Sequence, residues 1–125
     1  MTPVTLVHGG SGDAREAAIA EQVSRLAIDS SKPGAAIVEG LAGGSDALQA
    51  MQASAVMKVI RVAPGCPCCT GNLTMRTTLN RVLRDKPAVL FLSIADASHK
   101  AGVREFLRDP QYRQHLELGS ELDCS

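Results

Sequence analysis

A chain of 125 residues with 13 basic and 13 acidic side chains has no cationic excess to hold nucleic acid or an acidic membrane. Its 45% apolar content includes no Trp, one Tyr and two Phe, so the core is aliphatic and stacking platforms for single strands are missing. The length suits one domain over residues 1–125, large enough to bury a core without disulfide staples.

Met1-Thr2-Pro3 runs straight into a short apolar stretch with no positive flank, unlike a signal peptide, and no apolar run is long enough to cross a bilayer. A cytoplasmic location is therefore expected, where cysteines serve as thiols, metal ligands or redox groups rather than structural disulfides. Pro3–His8 is a short β-rich run, and Asp13–Ile28 follows as a helix with Ile19, Val23 and Leu26 on one face. Ser30–Gly34 breaks it, and Ala35–Glu39 is a second, buried strand. After the loop Gly40–Asp46, a short helix over Asp46–Ala53 takes Ser45 as its cap. Val56–Val62 alternates apolar and basic residues, the pattern of a strand near a sheet edge. A loop over Ala63–Asn72 leads into a helix over Leu73–Arg84, with Met75, Leu79, Val82 and Leu83 on one face. Pro87–Ile94 is the most apolar run and hence the expected central strand. His99–Arg108 is a last amphipathic helix, stopped at Asp109-Pro110. Residues 111–125 read either as a final strand or as a docked, flexible tail.

Strands separated by helices predict an α/β fold: a small parallel sheet of four or five strands with helices on both faces, in three layers. Functional groups in such sheets gather at the carboxyl ends of the strands. Three segments of this sequence fall there: Gly9–Asp13, Glu39 with its following loop, and the cysteine-bearing loop.

The first of these, in "VHGGSGDARE", starts like a phosphate-gripping loop. A working P-loop has Gly-x4-Gly-Lys-Ser/Thr, with backbone N–H groups facing the phosphates, a lysine on their charge and a hydroxyl on magnesium. Aligning Gly9 with the first glycine puts Ala14 at the second, Arg15 at the lysine and Glu16 at the hydroxyl. Arg15 keeps a positive charge in a different shape. Glu16 and Asp13 bring negative charge to the phosphate position. Asp13 and Glu16 also have the spacing of a capping box, which would give the helix its own anions. Gly9, Gly10, Gly12 and Arg15 are thus expected to form a vestigial phosphate loop, with GTP and magnesium not expected.

The loop "GCPCCTGN" places Cys66, Cys68 and Cys69 within four residues. One cysteine is easily a small buried hydrophobe; three beside Gly65 and Pro67 are hard to attribute to packing. Thiolates suit zinc, copper(I) and similar ions. A Cys-x-Cys pair can share one ion, whereas adjacent side chains diverge. The following helix favours thiolate through its dipole. Thiol redox chemistry and a purely structural role remain the alternatives. His8, His99 and His115 could each add a nitrogen, and Cys124 is expected to be a free thiol on a mobile tail.

The string "GCPCCTGNLTMRTTLNRVL" resembles the Gly-Cys-x-Cys-Cys segment of the CobW-type, metallochaperone-like P-loop GTPases. The order of strand, glycine loop, helix, second strand with a terminal acid and cysteine motif matches as well, from about Pro3 to Leu107. The resemblance implies a binding site for zinc or another divalent transition metal formed by Cys66, Cys68, Cys69 and Glu39. Departures from the family are the altered loop, "SIADASHK" after the central strand, and the lack of an Asn-Lys-x-Asp motif. What is expected, then, is a non-catalytic CobW-like metal-binding domain for storage, transfer or sensing, with a metal-receiving protein as partner. An exposed sheet edge also suggests a homodimer. The rivals are a divergent GTPase, a thiol redox module and a partner-binding scaffold.

Overall fold

The computed structural model describes residues 2–39, 46–62, 72–95 and 100–124. The elements run β1 (Thr2–His8), α1 (Gly12–Arg25), β2 (Gly34–Glu39), α2 (Asp46–Ala53), β3 (Met57–Val62), α3 (Asn72–Arg84), β4 (Leu90–Ser93), α4 (Lys100–Leu107), α5 (Pro110–Arg113) and β5 (Leu116–Asp123). The five strands form one sheet in the order β3-β2-β4-β1-β5, and every neighbouring pair is parallel. The expected α/β architecture of a small parallel sheet between helical layers is therefore present.

Side-chain alternation along the strands divides the core in two. Val4, Leu6, Ala35, Ile37, Leu90 and Leu92 face α3, α4 and α5, meeting Leu79, Val82, Val103, Phe106 and Leu107. Val7, Ala36, Val38 and Phe91 face the other way, toward Ile19 and Val23 of α1 and Leu48 of α2. Period-two alternation sends adjacent strand residues to opposite faces, which is why one short strand feeds both clusters. β2 is buried at all six positions and β4 at all four, as expected for interior strands of a sheet covered on both sides. Each large aliphatic side chain so buried stabilises the fold by about 1.5–3 kcal/mol relative to exposure.

The run Pro87–Ile94 does supply the central strand, shortened to Leu90–Ser93. The alternating run at Val56–Val62 does lie at an edge: among the described residues β3 pairs only with β2, Lys58 reaches Asp85 at 3.2 Å, and Arg61 turns toward α1. The C-terminal segment is a strand rather than a loose tail. β5 pairs with β1 from Thr2↔Leu116 to His8↔Asp123, and the Cys124 N–H donates to the His8 carbonyl at 2.8 Å. Cys124 is thus fixed to the sheet, correcting its expected place on a mobile tail. A register shift opposite Thr5 lets Gly119 and Ser120 share one place in the ladder. Such a bulge flips the residues beyond it. Leu118 accordingly packs on the α3–α5 side and Leu122 on the α1 side, though four residues separate them. Between α4 and β5, Asp109 caps the single turn of α5, its carboxylate accepting from the Gln111 N–H at 3.0 Å.

Candidate functional site

The crossover after β1 carries α1 over β4 to reach β2, while the crossover after β4 passes β1 on the other face to reach β5. Chains leaving two adjacent strands for opposite faces open a crevice at their carboxyl ends, where open parallel sheets place their ligands. Gly9 and Gly10 follow β1 at this point and take φ of 79° and 61°, in the left-handed region that glycine enters without penalty. At Gly10 a Cβ would also stand 2.5 Å from the Cys124 carbonyl oxygen.

Ser11 then caps α1. Its hydroxyl accepts from the Ala14 N–H at 3.1 Å, and its carbonyl accepts the Arg15 N–H at 3.0 Å. This corrects the expected cap at Asp13. Asp13 lies in the first turn, where its charge still favours the helix dipole. Glu16 does not turn back to the helix start. It is 1% exposed and meets Arg61 of β3 at 2.8 Å. A charge needs a partner before it can be buried, and for Glu16 a neighbouring strand provides it.

Arg15 is also buried. Its Nε donates to the Ser93 hydroxyl at 3.1 Å, and one terminal nitrogen donates to the carbonyls of Gly9 at 3.2 Å and Gly10 at 2.9 Å. The guanidinium therefore occupies the crevice from inside, and the two glycine carbonyls turn toward it. A phosphate loop presents N–H groups there instead. Gly12, the first residue of α1, lies beside the same guanidinium. Gly9, Gly10, Gly12 and Arg15, expected as a phosphate-type loop, are thus brought together around the buried Arg15 guanidinium. On the same side of the sheet, burial pushes the Cys124 thiol up, an effect opposed by the positive charge of Arg15 and reinforced by Asp123.

Glu39 ends β2, faces the α3 side of the sheet with Ala35 and Ile37, and is 6% exposed. Its Oε1 accepts from the Ala95 N–H at 3.2 Å, which ties β2 to the segment leaving β4. Glu39 is the register partner of Val62, the last residue of β3, and α3 begins at Asn72. Cys66, Cys68 and Cys69 lie between these two points in sequence and outside the described residues.

The histidines separate. His8 ends β1, where its Nε2 stands 3.4 Å from Glu121, and Glu121 also meets Lys100 at 3.6 Å and Arg104. With β4 between β1 and β2, His8 stands two strand spacings, roughly 10 Å, from Glu39. His115 lies at the opposite end of the sheet, where its carbonyl accepts the Thr2 N–H at 2.9 Å. His99 is outside the described residues. Among the described residues, no group of three or more His, Cys, Asp or Glu side chains is placed to hold a metal.

Two contacts were open to inference from sequence. Glu16 shares the apolar helix face of Ile19, Ala20 and Val23, and a charge on such a face calls for a buried partner. Ser93 is the one polar residue of the central strand and sits at its carboxyl end. No helix among the described residues is long and apolar enough to cross a membrane. Comparison of the chain with protein-family models, with curated proteins and with solved structures finds no match.

Proposed function

We propose that this chain is a non-catalytic, CobW-like metal-binding domain that holds zinc or a similar thiophilic divalent ion through Cys66, Cys68 and Cys69, with Glu39 as a fourth group. The observation that carries this reading is the pairing of Glu39 with Val62. It sets a buried carboxylate one strand away from the residue four positions before Cys66. Glu39 also faces the layer of α3, the helix that follows the cysteine segment. One carboxylate oxygen is held by the Ala95 N–H, an outer contact of the kind that orients metal ligands. The arrangement at the glycine loop weighs against the GTPase alternative, because Arg15 and two inward carbonyls take up the space of a phosphate. Without a nucleotide to switch the site, release of the ion depends on a receiving protein with greater affinity for it.

Elemental analysis tests the reading on protein produced in zinc-supplemented medium, as wild type and as Cys66→Ser/Cys68→Ser. Wild type is expected to carry about one ion per chain and the double variant almost none. Equal, near-zero content in both would overturn the metal reading. A reversible disulfide in the metal-free wild type would then favour the redox alternative.

A further inference from the structure

At the amino end of the sheet, away from the glycine loop, the surface opens into two adjoining cavities. One, of about 430 Å³, is lined by Thr2, Lys32, Leu83, Lys86, Pro87, Gln114 and His115. The second, of about 310 Å³, shares Lys32, Lys86 and Pro87 with the first and adds Lys58 and Asp85. These volumes are in the range of small-molecule sites.

The lining has one electrostatic character. The larger cavity has two ammonium groups, an imidazole and an amide, and none of its lining residues is acidic. The acid of the second cavity, Asp85, is already paired with Lys58 at 3.2 Å. Among the described residues, no carboxylate lies within ion-pair distance of the Lys32 or Lys86 ammonium groups. The chain as a whole carries equal numbers of acids and bases, so a concave region holding unpaired cations stands apart from its surroundings. A cleft lined by one sign of charge concentrates the field at its centre. Leu83 and Pro87, both buried, give the same cavity an apolar wall.

Lys86 is set in place by the backbone. It follows α3 with φ 48°, and its N–H donates to the Leu83 carbonyl at 3.1 Å. This is the left-handed stop that glycine most often fills. A long cationic side chain occupies it here.

We propose that this cleft is a binding site for a small phosphate-bearing molecule, with the phosphate between Lys32 and Lys86 and the apolar portion against Leu83 and Pro87. Lysine binds phosphate as a point charge, and a lining with two ammonium groups and no acid supplies that charge to a multiply charged anion. The site does not depend on the cysteine loop or on the metal reading.

Inorganic pyrophosphate is the probe. It is titrated into the whole chain and followed by amide chemical shifts, with citrate titrated in parallel. Lys86→Gly removes the charge and suits the left-handed backbone, so its thermal stability should equal or exceed that of wild type. Saturable pyrophosphate shifts are expected at Lys32, Lys86 and His115. Lys86→Gly should weaken binding roughly tenfold or more, as should Lys32→Gln, while Gly12→Asp at the other end should leave it unchanged. Three results would overturn the proposal: no saturable shifts in wild type, loss of binding in Gly12→Asp but not in Lys86→Gly, or citrate binding as tightly as pyrophosphate.

Discussion

Replacing Arg61 by Met tests the link between α1 and the edge strand. Glu16 is 1% exposed and faces Arg61 across 2.8 Å, while the Arg61 side chain keeps 27% of its surface in solvent. Removing the guanidinium strands a carboxylate inside the protein. Loss of one partner from a buried pair costs about 3–5 kcal/mol, and the partial exposure of Arg61 places this case near the lower end, at about 3 kcal/mol. A domain of this size holds only ~5–15 kcal/mol of stability in total. The expected fall in Tm is roughly 10–15 °C. In urea the midpoint should drop by roughly 2 M, taking an m-value near ~1.5 kcal/mol/M. The decisive comparison is the double variant Glu16→Leu/Arg61→Met, which removes both charges and should recover most of the loss. Urea unfolding followed by circular dichroism measures all three proteins. A loss below about 1 kcal/mol in Arg61→Met, or a double variant no more stable than Arg61→Met, would refute the reasoning.

Two further outcomes follow from the carboxyl edge. Gly10→Ala places a Cβ at φ 61° and 2.5 Å from the Cys124 carbonyl, so thermal melts should show a loss of about 2 kcal/mol or more; an unchanged Tm would mean that β5 does not pack on the glycine loop. Because burial raises the Cys124 thiol above its ordinary value, less of it is thiolate at a given pH than in a free cysteine. In a protein with Ser at 66, 68 and 69, iodoacetamide should therefore modify Cys124 more slowly than free cysteine at pH 8, with a rate still rising where the free thiol has levelled off. A rate equal to or above that of the free thiol would show that Arg15 rather than burial governs this sulfur.

Local pattern made the alternation of strands and helices legible, along with the central position of Leu90–Ser93 and the edge position of Met57–Val62. Hydrophobic period and charge spacing decide those features within a few residues. What stayed hidden is non-local. Arg15 reads as a replacement for a lysine and Glu16 as half of a cap, because their partners, Ser93 and Arg61, lie 78 and 45 residues further along the chain. Ser11 is hidden as the cap because Asp13 and Glu16 match a local template that the folded chain does not use. The last strand was ambiguous for a different reason. Its bulge sends Leu118 and Leu122 to opposite faces, and this defeats the alternation by which strands are recognised. The cleft at Lys32 and Lys86 is assembled from four separate stretches of chain, so no run of sequence announces it.

The placement of β4 between β1 and β2 bears on how the chain is made. β1 and β2 leave the ribosome before the other three strands of this sheet, and in the finished sheet they do not pair with each other. A nascent chain ending before Leu90 can join β2 to β3, but it leaves Val4 and Leu6 of β1 without a strand on either side. Both of β1's neighbours come from the last third of the sequence. The sheet is therefore completed only once β4 and β5 have emerged, by inserting one strand into a gap and laying another along the edge. Long-range closure of this kind is slow, and it keeps unpaired apolar edges exposed meanwhile. For this protein, the interval between the emergence of β1 and that of β4 is when a holdase chaperone has most to protect.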